Sequence, residues 1–256
     1  MSNLVRHSSD SERFFRDNGG HLWPFIPKRY ELSWIAGERG KPSLNADFVS
    51  TTESENTIAD RHFELLGGNM TSALSTFNAE GGITLTTAGG GTDGAILLPH
   101  LDANQTPWNK VTWGTDREVM WECLIETNST LADTRIWAGL KLTNTSTVAT
   151  DNDQVFVRFE DDVNSGKFQV IDSIGGTDVT TDSGLTAAVS TKYHIRIEID
   201  SQRIARVYIN GQLYRTTAAL TDAIDLIPYI GIEEDTSGAA VVLQVHAQRI
   251  SRLRGA

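Results

Sequence analysis

Cysteine is nearly missing from this chain. Cys123 is the single thiol, so no internal disulfide forms. It sits among Val119, Trp121 and Ile125 at the apolar positions of one alternating run, and reads as a small buried hydrophobe. Long apolar runs are missing too: none approaches the ~20 residues that span a bilayer, so no membrane partner is expected. The N-terminus, Met1 to His7, lacks the apolar stretch of a secretory signal, and synthesis in a cytoplasm without export by that route is the expectation. Positive charge is in the minority, 22 Lys and Arg against 33 Asp and Glu, for a net charge of −11. Such a body repels nucleic acid, which is excluded as a partner. Histidine offers no chemistry by spacing: residues 7, 21, 62, 100, 194 and 246 form neither a His-x-His nor a His-Glu-x-x-His pattern, which argues against zinc. No Gly-x-Ser-x-Gly elbow occurs either.

What is present, in a chain of 256 residues, is strand after strand with period-two alternation. The runs 118–126, 135–142, 153–160, 193–200, 203–209 and 240–250 each carry one apolar and one polar set. That pattern predicts antiparallel sheets packed face to face. Asn164-Ser165-Gly166 and Asn210-Gly211 supply the positive φ angles of tight hairpins. Gly89-Gly90-Gly91-Thr92-Asp93-Gly94 has neither the lysine nor the following helix of a phosphate cradle, and reads as a turn. The expected fold is an all-β antiparallel β-sandwich over residues 46–256.

Residues 1–45 break the pattern and are expected to form an irregular N-terminal arm with at most short helices. Ser9 and Glu12 make a possible capping box ahead of Phe14 and Phe15, and a second short helix is expected over 57–66. Trp23-Pro24-Phe25-Ile26-Pro27 forbids regular structure between its prolines. Phe14, Phe15, Trp23, Phe25, Tyr30 and Trp34 give the arm large rings and no core of its own, a combination that marks them as candidate partner-binding anchors. The arm carries +2 against −13 for the remainder.

Val207-Tyr208-Ile209-Asn210-Gly211-Gln212-Leu213, with Tyr193 to Asp200 before it and Ile227 to Glu233 after it, resembles the late hairpin of concanavalin A-like and laminin-G-like jelly rolls. Gly82 to Thr87, Ala138 to Asn144 and Thr150 to Phe156 further resemble jelly-roll structural proteins of tailed bacteriophages. The narrower resemblance implies a virion component assembled in the host cytoplasm. In that reading the chain is a non-catalytic capsid decoration or cement protein, contacting the major capsid protein or other virion proteins, and itself a homotrimer. The alternative is a lectin-like module of a phage tail or fibre that binds a cell-surface glycan, and a glycoside hydrolase is the third reading.

The polar strand faces carry the candidates for chemistry. A retaining glycosidase needs two carboxylates about 5 Å apart, which a Glu-x-Asp-x-Glu spacing provides; after Glu198 and Asp200 the third position is Gln202, and Glu118, Glu122 and Glu126 lie four apart. No catalytic residue is therefore assigned. Asp151 and Asp153 form the favoured calcium candidate, with Glu160-Asp161-Asp162 and Glu233-Glu234-Asp235 as weaker versions; otherwise no cofactor is expected. Trp108, Trp113 and Trp137 are read as packing residues or as sugar platforms.

Overall fold

A computed structural model describes residues 4–5, 14–16, 22–24, 43–46, 63–70, 74–78, 82–99, 112–143, 145, 151–236 and 238–252. The chain divides into two compact units, 1–41 and 42–256. In the first unit the strands β1 (Leu4–Val5), β2 (Phe14–Arg16) and β3 (Leu22–Pro24) form an antiparallel three-stranded sheet. Phe14 and Phe15, expected at the start of a helix, instead pair with β1 and β3 in extended backbone.

The second unit is a two-sheet antiparallel sandwich, as the alternation predicts. Its strands, in chain order, are β4 (Ser43–Ala46), β5 (Phe63–Leu66), β6 (Thr76–Phe77), β7 (Ile83–Thr86), β8 (Gly94–Pro99), β9 (Met120–Thr127), β10 (Thr134–Lys141), β11 (Gln154–Glu160), β12 (Lys167–Ile174), β13 (Thr177–Thr186), β14 (Lys192–Ile199), β15 (Ile204–Ile209), β16 (Gln212–Ala219), β17 (Ile227–Glu234) and β18 (Val242–Ser251). One sheet has seven strands in the order β13-β12-β11-β10-β17-β8-β5. The other has eight, β16-β15-β14-β9-β18-β7-β6, with β4 paired to β18. Phe63 to Leu66, expected in a helix, form an edge strand paired with β8.

The main core lies between the sheets. Ile136, Ala138 and Leu140 of β10, Val155, Val157 and Phe159 of β11, and Ile230 and Ile232 of β17 meet Trp121, Cys123 and Ile125 of β9 and Ile195, Ile197 and Ile199 of β14. Cys123 is buried as expected, and burial pushes its thiol pKa well up. Alternation sends the intervening residues outward. On the seven-stranded sheet they are not all polar: Ile96, Leu98, Trp137, Phe156, Ile171, Ile227 and Tyr229 form a second buried apolar cluster.

Between the sheets near one side, Arg215 of β16 donates from Nε and Nη2 to the Asp172 carboxylate of β12, at 2.8 and 3.2 Å. The Asp172 side chain is only 1% exposed. On the same side, β13 is a ten-residue edge strand whose residues are exposed or half-exposed, with Val179 among the exposed apolar side chains. Gly184 within it has φ +70, and the pairing with β12 shifts register between Lys167 and Gln169.

Candidate functional site

Pairing places acids from distant sequence positions side by side on the outer face of the seven-stranded sheet. Glu160 of β11 stands opposite Arg135 of β10, and Arg135 stands opposite Glu233 of β17. Arg135 Nη1 donates to Glu233 Oε1 at 3.2 Å, and its Nη2 donates to Asp235 Oδ1. Arg158, on the same face one row along, holds Glu160 at 3.3 Å and donates to Gln169 Oε1 at 2.7 Å. All four charged side chains are partly exposed, from 14% for Glu160 to 29% for Arg135. Burial raises the Glu233 pKa; Arg135 pulls it back in part, and the charge of Glu160 adds to the rise. A half-buried carboxyl with a raised pKa, beside a second carboxyl group, is a usual preparation for acid–base work.

This acid pair was missed because it does not lie on one strand. Its members stood in the two acidic triplets read as weak calcium candidates. The pairing splits each triplet: Glu160 and Glu233 line the sheet face, while Asp161, Asp162 and Asp235 gather within 4.8 Å of one another at the strand ends. Glu234 turns inward, where it is fully buried. There it accepts hydrogen bonds from Gly89 N and Gly91 N, both at 2.8 Å, and from Thr87 Oγ1. The glycine-rich loop is thus a turn, as read, and it wraps a carboxylate of its own chain.

Asp151 and Asp153, the favoured calcium candidates, serve separate loops. Asp151 accepts from Thr143 N at 2.9 Å and Thr143 Oγ1 at 2.5 Å, with Lys141 Nζ 3.9 Å away. Asp153 accepts from Gly175 N at 3.2 Å and from Thr221 Oγ1. Trp113 belongs to the main core and Trp137 to the second cluster, so both pack; Trp108 lies outside the described residues. Of the proposed arm anchors, Phe14 and Phe15 fall in β2 and Trp23 in β3, while Phe25, Tyr30 and Trp34 lie outside the described residues.

The outer face of the eight-stranded sheet is a ladder of ion pairs. Glu122 of β9 meets His194 Nε2 at 3.2 Å and Arg249 Nη2 at 2.5 Å. Glu126 meets His246 Nε2 at 2.8 Å, and the Arg196 guanidinium stacks 4.4 Å from the Tyr208 ring. Glu198 pairs with Arg196, and Asp200 caps its own turn, so these two do not act as an acid pair. Burial pushes the Glu122 pKa up, but the His194 hydrogen bond and the charges of Arg249, His194 and Arg196 outweigh it and leave it below the ordinary 4.5. A depressed folded pKa stabilises above the unfolded value, and that stabilisation is lost as pH falls through the folded one. Acid unfolding of the E122Q variant should therefore show a shallower loss of stability below pH 4.5 than wild type. Identical acid limbs in denaturant titrations at several pH values would refute this.

No protein-family model matches the chain, and no curated protein matches it. Solved structures do. The Bacillus licheniformis β-glucanase superposes with a TM-score of 0.55 at 11% identity, over 81% of this chain and 97% of the enzyme. An alginate lyase solved with an alginate trisaccharide gives 0.56 at 12%, over 83% and 98%. A Shewanella oneidensis protein of unknown function gives 0.57 at 12%, over 91% and 97%. Glycan-cleaving enzymes dominate such neighbours, and they overturn the expectation of a non-catalytic capsid decoration protein, which rested on a sandwich that is not tied to virion proteins. The likeness shows the fold: an antiparallel jelly-roll sandwich like that of the β-glucanase and of the alginate lyase.

Proposed function

We propose that this chain binds a polysaccharide at the end of its seven-stranded sheet, beyond the buried apolar cluster on the outer face, and cleaves it at the Glu160–Arg135–Glu233 row. The observation that carries this reading is the acid pair itself: two carboxyl groups on strands either side of β10, one of them with a raised pKa. Glu233 serves as the general acid that protonates the leaving glycosidic oxygen. Glu160, which pairs with Arg158 at 3.3 Å, is the base toward water. Two strand spacings put their Cα atoms roughly 10 Å apart. That supports a water-mediated, inverting displacement, for which carboxyl groups stand about 6.5–9.5 Å apart, over a covalent intermediate, which needs about 5 Å. Burial raises the Glu233 pKa, so the basic limb of the pH–rate profile should lie at higher pH than an ordinary glutamate would give.

The test is release of reducing ends from a panel of polysaccharides by the full-length protein. E233Q should lower kcat/KM by about 10²-fold or more, with the fold intact by circular dichroism. E160Q should do the same, and the first-formed product should have inverted anomeric configuration by NMR. A panel left uncut, or E233Q cutting at the wild-type rate, would remove this reading.

A further inference from the structure

The guanidinium of Arg135 is divided between two acids. Nη1 donates to Glu233 Oε1 at 3.2 Å, and Nη2 donates to Asp235 Oδ1. Its Nε is buried and meets no acceptor. An arginine grips a carboxylate most firmly with two parallel N–H groups, and here neither acid receives two. Asp235 holds its share from a fixed position. Its side chain is 6% exposed, and its backbone N donates to Asp133 O at 2.9 Å. The residue before it, Glu234, is tied into the glycine-rich loop by Thr87, Gly89 and Gly91.

That division leaves Glu233 Oε2 without a donor among the described residues. On the side away from Arg135, β8 places Gly94 opposite Glu233. A Cβ there would stand 3.6 Å from Oε2, so Gly94 brings this oxygen neither bulk nor charge. The other charged groups around the row are Glu160 with its partner Arg158 on β11, and Asp161 and Asp162, which gather with Asp235. An oxygen that accepts an arginine N–H remains an acceptor, so the proton of neutral Glu233 belongs on Oε2. If Nη2 were released, a turn about the soft Cγ–Cδ torsion would bring both oxygens to the fork, and the ionised form would be favoured. We infer that Asp235 is the positioning residue of this row: by holding Arg135 Nη2, it keeps Glu233 Oε2 free to carry the proton that is delivered. The inference rests on the reading of Glu233 as the acid.

A carbon-13 NMR titration of the full-length protein, labelled at its glutamate carboxyl carbons, follows Glu233 directly; its resonance is the one lost in E233Q. D235A and D235N remove the same charge, but asparagine keeps an acceptor for Nη2. D235S takes the place of D235A if the alanine variant does not fold. D235A should lower the Glu233 midpoint by about one pH unit, and D235N by less than about half as much. On a polysaccharide that wild type cuts, D235A should lose kcat about tenfold on the basic limb, with KM unchanged and kcat restored about one pH unit lower. An unchanged midpoint in D235A would overturn the inference. So would equal shifts in D235A and D235N, which would trace the effect to the lost charge alone. A graded shift in a protein that cuts no polysaccharide would keep the hold on Arg135 and overturn the glycan-cleaving reading by itself.

Discussion

Replacing Glu234 by alanine is expected to lower the stability of the sandwich by about 3–5 kcal/mol, because its carboxylate satisfies three donors out of water and each buried donor left unsatisfied costs about 1–3 kcal/mol. Those donors are Thr87 Oγ1, Gly89 N and Gly91 N. The side chain is fully buried, so water does not reach the vacated position without opening the loop. Thr87 also accepts from Val241 N at 3.0 Å, which extends the disturbance to the start of β18. At about 2–4 °C per kcal/mol for a chain of this size, the midpoint should fall by roughly 10 °C. Glutamine keeps the shape and one oxygen, but turns an amide donor toward the remaining N–H groups, and E234Q should fall between the two. Urea unfolding followed by tryptophan fluorescence gives the comparison. A loss under about 1 kcal/mol for E234A would mean that the loop rehydrates freely, contrary to the burial described.

An equally large loss, about 3–5 kcal/mol, is expected when Arg215 is replaced by alanine. The effect comes from what is left behind. Asp172 is 1% exposed on its side chain and receives both donors of the guanidinium fork. Without them it is a buried charge with no counter-ion between the two sheets. Removing both partners should hurt far less, since replacing a buried ion pair with apolar groups of similar volume is often neutral. The R215M/D172L double variant should therefore recover most of the loss seen in R215A. Equal destabilisation of single and double variants would place the energy in the alkyl packing of Arg215 instead.

Much of the sandwich was legible because one apolar face per strand is a strong signal. The runs around Trp121, Ile136, Val155, Ile195, Val207 and Leu243 each matched a strand within a residue or two. The signal failed where the residues of a strand do not alternate between apolar and polar. β8 is buried along its whole length, and β13 is a threonine- and aspartate-rich edge; neither alternates. The two expected helices failed for a related reason, since a capping box and a few apolar residues do not specify a helix when neighbouring strands offer pairing partners. Trp137 lies on the opposite side of β10 from Ile136, Ala138 and Leu140, and the second apolar cluster around it draws on β8, β11, β12 and β17, so no single segment displays it. The acid pair was illegible for the same cause. Glu160 and Glu233 are 73 positions apart in sequence, and only the pairing of both strands with β10 makes them neighbours. Reading acids at a spacing of two along one strand finds pairs made by one strand; this pair is made across three.

The exposed strand β13 has a consequence for handling the protein at high concentration. Its outer backbone edge is a ten-residue template open to another chain, the situation that leads to edge-to-edge polymerisation. Asp178, Asp182 and the bend at Gly184 are its safeguards: two charges and a kink that spoil a flat match. Asp182 is kept ionised into the acid range chiefly by the Gly184 N–H, with Asn164 and Lys167 assisting, so the bend also maintains one of the charges. Mutations that straighten Gly184 would remove the kink and let the Asp182 charge be lost at a higher pH in acid, weakening two of the three safeguards together, and fibrous aggregates seeded at this edge are the form in which the loss would show.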